Sequence, residues 1–219
     1  MQTTKRARRN TPVAKSLAGA AARPTAASGA AQNEGRANPA PLGLLGFGMT
    51  TILLNLHNAG LFPLSTMITG MGVFVGGLAQ ISAGIMEFRK NNTFGMTAFC
   101  AYGAFWLSLV AVWTFPALGM GDSSSPFTMA FYLVTWGLFT VGMFFGTLKL
   151  TRVHQVVFAT LAVLFFLLAA GDFTGSNAVR IIAGVEGIVC GLAAFYGAIA
   201  LVLNEQFGRT VLPMGSPAK

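Results

Sequence analysis

Residues 153–171 read VHQVVFATLAVLFFLLAAG, nineteen positions without a single Lys, Arg, Asp or Glu. A hydrocarbon core about 30 Å thick needs roughly 20 helical residues to cross it. In lipid the backbone must satisfy its own N–H and C=O groups, and one continuous apolar run can do so only as a helix. The same pattern recurs in the segments 41–58, 66–88, 94–115, 127–150 and 177–203. Short breaks separate them, at 60–65 with Pro63, 89–93, 116–126, 151–152 and 172–176. The expected fold is an all-α membrane protein with six transmembrane helices per protomer, the first being the shortest.

Composition points the same way. The 219 residues are 54% hydrophobic and 9% charged, whereas soluble domains carry about 25% charged residues. That excludes most soluble enzyme folds. Residues 1–37 stand apart, with seven Lys or Arg and Glu34 as the lone acid. They lack the apolar run of a secretory signal, and their composition predicts a disordered basic tail. Residues 38–208 form the expected six-helix transmembrane domain, and 209–219 a short C-terminal tail.

The net charge of +8 would suit a nucleic-acid binder, but its placement argues otherwise. With six spans, thirteen of the fourteen basic residues fall at one end of the bundle; Arg180 alone falls at the other, with Asp122 and Asp172. The positive-inside rule then puts both termini in the cytoplasm of a protein of the cell (inner or plasma) membrane. The expected surroundings are a lipid bilayer, with no nucleic-acid partner.

Glycines seam the helices. Gly70, Gly77 and Gly84 recur every seven positions; Gly137, Gly142 and Gly146, then Gly184, Gly187, Gly191 and Ala194, repeat the theme. Small residues let helices approach closely where no hydrophobic effect drives them together. A Gly-seamed bundle is the expectation.

Helix one opens at Asn38-Pro39-Ala40-Pro41 and continues through Gly43, Gly46 and Gly48. Capping by Asn and a proline in the first turn account for part of this. The two prolines and the glycines together also predict irregular backbone at membrane depth, with N–H groups open to an anion. At the other end, Asn55-Leu56-His57-Asn58 offers Asn55 and Asn58 as donors to an anion, or simply as groups meeting the interface. Gln80 and Glu87 are seven apart, on the face of Gly77 and Gly84. A polar group in a span ordinarily faces the bundle interior or water. Glu87 is equally readable as a helix-end charge near Arg89 and Lys90. Glu186, in the outer half of helix six, must be protonated, hydrated or paired across helices. No catalytic spacing, metal-ligand cluster or phosphate-binding loop is present, so neither enzyme activity, nor a metal, nor a cofactor is expected.

The run NPAPLGLLGFGMTT (38–51), continued by ILLNLHNAG, resembles the acetate uptake transporter family, as do GGLAQISAG, RKNNTFGMTAF, MFFGTLK and NEQFGRTVLP. The resemblance implies a homohexamer and passage of acetate, related monocarboxylates and succinate. It also implies a narrow constriction of Phe47, Tyr102 and Leu161 within each protomer, with Ala194 as a pathway position. From the residues alone, Phe47 and Leu161 read as core or lipid-facing; a mid-helix Tyr102 needs a partner for its hydroxyl.

Two mechanisms fit such a transporter, an anion channel and a proton-coupled symport. With a pKa near 4 to 5 the substrate is an anion at about pH 7. Bringing it into an inside-negative cell costs about 2.3 kcal/mol per 100 mV. A proton carried with it cancels that charge, and Glu87 and Glu186 are the candidate carriers. The competing readings are a pore for ammonia, ammonium or another small solute, and a membrane sensor without flux.

Overall fold

The structure, a computed structural model, describes residues 37–216. The expected basic tail, except Ala37, and the terminal Lys219 lie outside the described residues. Six long helices follow: α1 Ala40–Asn58, α2 Thr66–Phe88, α3 Thr93–Thr114, α4 Pro126–Thr147, α5 Arg152–Thr174 and α6 Asn177–Phe207. Each is long and apolar enough to cross a membrane, and there is no strand among the described residues. Charge and polarity set the boundaries as the sequence predicts, with α6 running one turn further, to Phe207, before Gly208 ends it at φ 61. Gly is the residue that reaches this left-handed conformation without steric cost.

The start of α1 corrects one expectation. Helix geometry is regular from Ala40 onward, and the Asn38 side chain accepts from the Ala40 N–H at 3.2 Å. Pro39 and Pro41 sit where their missing N–H groups leave nothing unpaired. The glycines of α1 serve close packing instead. A Cβ on Gly46 would lie 2.6 Å from the Val75 carbonyl, and one on Gly48 would lie 2.8 Å from the Phe195 backbone nitrogen. The irregular backbone is in α2, where Gly72–Ala79 is wound as a π-helix. There the Thr50 hydroxyl donates to the Met71 carbonyl at 3.4 Å, and Gly76 sits against Trp106. Wide turns of this kind collect at functional positions in helices.

Neighbouring helices pack in sequence: α1 on α6 and α2, α2 on α3, α4 on α5, and α5 on α6. Between α3 and α4 it is side chains that bridge the gap. Tyr102 meets Thr140 at 2.9 Å, Ser108 meets Tyr132 at 2.7 Å, and the Phe105 and Trp136 rings lie 5.3 Å apart. The glycine seams divide in their use. Gly184, Gly187 and Gly191 admit α1 against α6, and Gly77, Gly84 and Gly103 bring α2 against α3. Gly70 and Gly142 face open space. The C-terminal residues are tied down: Asn204 holds Val211 and Leu212, while Met214 and Gly215 accept from the first N–H groups of α5.

The seam makes a contrast that can be measured. Gly48→Ala, which drives a methyl into the α6 backbone, is expected to cost about 1–3 kcal/mol by overpacking. Gly142→Ala meets nothing and should leave stability unchanged or slightly raised, because Ala is the better helix former. Thermal unfolding of the two purified variants in detergent checks this; equal transitions would remove the seam from the account.

Candidate functional site

Two cavities lie along the bundle. The first, about 120 Å³, is at the end where α1 begins and α2 ends, and the second, about 260 Å³, is at the end where α1 finishes and α6 begins. Both far exceed the roughly 10–15 Å³ that holds one water. The same three helices, α1, α3 and α5, line both cavities. Along each, residues mark out how deep the first cavity reaches. The last contribution of α1 is Phe47, of α3 Tyr102 and of α5 Leu161. The second cavity resumes at Leu54, Phe105 and Leu168. At 1.5 Å per residue the wall between them is about 10 Å thick along α1 and α5 and about 5 Å along α3.

Phe47, Tyr102 and Leu161 are each no more than 4% exposed. All three line the inner end of the first cavity. Tyr102 is the hub of the barrier: its ring lies 6.0 Å from Phe47, 5.9 Å from Phe158 and 5.5 Å from Phe139. Its hydroxyl partner is Thr140 at 2.9 Å. Thr140 donates its own proton to the Trp136 carbonyl at 2.7 Å, so Tyr102 is the donor in that pair. The hydroxyl's lone pairs remain, and it presents no spare proton to a passing carboxylate unless Thr140 lets go. Thr140 is a partner that sequence reasoning missed, since nothing in α3 and α4 separately shows that they meet there.

Gln80 is buried and lines the first cavity, with its side-chain oxygen lacking a hydrogen-bond partner. It follows directly on the π-helical stretch, which sets where its amide falls. That oxygen can only accept, so a carboxylate anion would be met by the amide's N–H groups instead. Glu87 is fully buried but compensated. Its Oε2 accepts from Asn92 at 2.7 Å and its Oε1 lies 3.8 Å from the Lys90 ammonium. Lys90 in turn donates to Asn38 at 3.1 Å, fastening the start of α1 to the turn after α2. Asn92, which also caps α3 through the Gly95 N–H, reaches the first cavity. Its Asn-three-before-Gly cap was a signal in the sequence; its bond to Glu87 was not.

The remaining positions divide. Asn58 and His57 line the second cavity. Asn55 is enclosed at the α1–α6 seam, donating to the Thr51 carbonyl at 2.9 Å and accepting from Asn58 at 3.0 Å. It faces Gly187, where any Cβ would overlap it; its polar atoms are used inside the bundle. Pro39 belongs to the entry of α1. Ala194 is fully buried in α6 and lines neither cavity. Glu186 is half-buried on α6, away from both cavities, with both carboxylate oxygens enclosed and without a hydrogen-bond partner among the described residues. Pairing across helices, one of three ways to accommodate it, is not what the bundle provides. Asp172 and Arg180 form an ion pair at 3.2 Å at the rim of the second cavity.

Residues 19–216 match the GPR1/FUN34/yaaH family. The chain belongs to that family. It is 59% identical over 179 residues to the succinate-acetate/proton symporter SatP of Escherichia coli K12, covering 82% of this chain and 95% of that protein. It is 40% identical over 178 residues to the ammonia transport outward protein 2 of Saccharomyces cerevisiae, covering 78% of this chain and 63% of that one. Among solved structures, the bacterial acetate channel SatP superposes with a TM-score of 0.81 at 58% identity, over 82% of this chain and 99% of that chain. These likenesses agree with the resemblance carried by the motifs of residues 38–213, and with a multi-pass membrane protein of six spans.

Gln80 gives the direct test of the first cavity. A hydrogen bond to a charged ligand is worth about 1.5–3 kcal/mol. Gln80→Leu is therefore expected to lower acetate uptake about ten- to hundredfold, with the elution volume on gel filtration unchanged. Undiminished uptake would restrict Gln80 to a packing role.

Proposed function

We propose that the chain carries acetate and related small carboxylates, succinate among them, across the membrane along a pathway inside each protomer. The observation that carries this reading is the stacking of two cavities on the same three helices, parted by Phe47, Tyr102 and Leu161. Those three form the constriction, Gln80 binds the substrate before it, and Asn58 meets the substrate on the other side. The relatives named for acetate and succinate support the substrate class. The protein is a transporter and not an enzyme. It acts as a homohexamer in the cell inner membrane, with the first cavity and both termini on the cytoplasmic side, as the distribution of Lys and Arg supports.

The barrier favours conduction of the anion. A pore conducts when a site binds well enough to admit the ion and weakly enough to release it. A thin apolar wall between two polar-lipped cavities meets that requirement. No carboxyl group lines the barrier itself: Glu87 is held by Asn92 and Lys90, and Glu186 is outside both cavities. The second reading, proton symport, has one observation in its favour, the unpartnered carboxylate oxygens of Glu186. An ammonium pore fits less well, because the second cavity carries a guanidinium at its rim.

Current across a bilayer holding the full-length protein, under an acetate gradient without a pH gradient, separates these readings. Reversal near the acetate equilibrium potential is the expected result. Electrically silent flux that acidifies the receiving side would favour symport, and no acetate flux at all would refute the transport reading. Trimming the constriction tests it from the other side: Phe47→Ala or Leu161→Ala should admit larger acids such as lactate. Unchanged selectivity in a folded variant would take those residues out of the pathway.

A further inference from the structure

Helix α6 has 31 residues and, at 1.5 Å each, measures about 46 Å. A hydrocarbon core is only about 30 Å thick. The last turns of α6 therefore project past the membrane, at the end where the first cavity lies. The chain turns back there at Gly208, and residues 209–216 return beside α6 to the start of α5.

Side chains of α6 hold the returning stretch. The Asn204 Oδ1 accepts from the Val211 and Leu212 N–H groups at 2.7 and 2.9 Å, and its Nδ2 donates to the Leu212 carbonyl at 2.8 Å. Nearer the membrane, the Tyr196 hydroxyl donates to the Pro213 carbonyl at 2.8 Å. The stretch then closes on α5. The Val153 N–H donates to the Met214 carbonyl at 3.1 Å, and the Arg152 N–H to the Gly215 carbonyl at 3.2 Å. The opening N–H groups of a helix have no partner inside it, and α5 lacks a side-chain cap. Thr151 precedes it without capping it, and its hydroxyl meets His154 Nδ1 at 2.8 Å instead. Carbonyls from beyond α6 do what that hydroxyl does not.

The same stretch reaches a point where three helices converge. A Cβ on Gly197 would lie 2.9 Å from Val153 of α5, 3.5 Å from Leu44 of α1 and 3.8 Å from the Met214 methyl. Leu44 lines the first cavity, as do Leu150 and His154 on either side of the α5 start. Gly215 fits closely as well: its φ is 72, and a Cβ there would lie 2.6 Å from the Arg152 Cβ. Neither Asn204 nor Met214 lines either cavity.

We infer that residues 211–215 act as a latch that fixes the start of α5 against α6 and so sets the lip of the first cavity, with Asn204 and Met214 as its positioning residues. The latch itself rests on packing alone; its effect on acetate rests on the transport reading above. A stretch held by a few hydrogen bonds and one apolar side chain, at the wet end of a bundle, can open locally without global unfolding. Opening frees two N–H groups of α5 and takes the methionine out of the junction of α1, α5 and α6. The lip then loses preorganisation, which weakens binding behind it.

The two native cysteines report the opening. Cys190 is buried in the α5–α6 seam, its thiol donating to the Val157 carbonyl at 3.6 Å. Cys100 stands in the α2–α3 seam beside Gly84. In vesicles holding the full-length protein, Asn204→Leu and Met214→Ala are expected to speed alkylation of Cys190 by N-ethylmaleimide about tenfold and to leave Cys100 unchanged. Asn204→Asp keeps the two accepted bonds and Met214→Leu keeps the bulk, so both should show a smaller rise. The half-saturating acetate concentration, measured from the first-cavity face, should increase about threefold in Asn204→Leu and Met214→Ala. Equal acceleration at both cysteines would mean a general loosening of the bundle, and none at Cys190 would mean no hold on α5; either overturns the latch. Faster alkylation of Cys190 with unchanged half-saturation overturns its effect on the lip. Absence of acetate flux in the unaltered protein, with the cysteine contrast intact, overturns the transport reading and leaves the latch standing.

Discussion

The close approach of α1 to α6 is the constraint on which the pathway depends. Without side chains at Gly48, Gly187 and Gly191, the two backbones nearly touch, and that contact fixes the rotation of α1. Positions 48, 52, 55 and 59 then face α6, and Gly46 and Thr50 face the wide turns of α2. The remaining face presents Ala40, Leu44, Phe47, Leu54 and Asn58 to the cavities. What is left of the nineteen residues is a narrow apolar stripe, with Leu42 and Met49 exposed. A small rotation would carry Phe47 out of the proposed constriction and expose Asn55 to apolar surroundings, where its amide would lose its partners.

The barrier is an aromatic cluster kept in place by a few polar bonds. Phe105 stands against Phe165 at 5.2 Å and Trp106 at 5.5 Å, extending the layer around Tyr102. Edge-to-face contacts of this sort add about 0.5–1.5 kcal/mol each beyond their area. Thr140 gives Tyr102 its orientation and links α3 to α4, which otherwise meet only through side chains. Rigidity of this kind is what a narrow passage needs, since a floppy ring would widen on its own and lose discrimination by size.

Much of the fold was legible because a membrane imposes length and polarity directly on the chain. The six segments and their breaks follow from charge, Pro and Asn positions alone. The site was less so. A Phe or a Leu in a membrane helix has the same character whether it meets lipid, core or a pore, so Phe47 and Leu161 took meaning only from the family resemblance. Asn55 shows the opposite difficulty: a polar residue near a helix end looked available, while the seam at Gly187 had already consumed it. Irregular backbone was expected from the prolines of α1 and lies instead in the glycines and Val-rich turns of α2, because prolines in a first turn disturb nothing. The bond between Tyr102 and Thr140, thirty-eight residues apart, has no local signature at all.

The two mouths share a physical device. At one, the Lys90 ammonium faces the buried Glu87 carboxylate; at the other, the Arg180 guanidinium faces Asp172. Each places a cation and an acid together near the end of a cavity. A bare cation would hold an anion too strongly to release it, and a bare acid would repel it. The pairs differ in how firmly the acid is held. Glu87 is buried and also bonded to Asn92, whereas the Asp172 and Arg180 side chains are 18% and 44% exposed. The Arg180 pair is therefore the looser of the two, and the Lys90 pair, with Asn38 and Asn92, holds α1, α2 and α3 together.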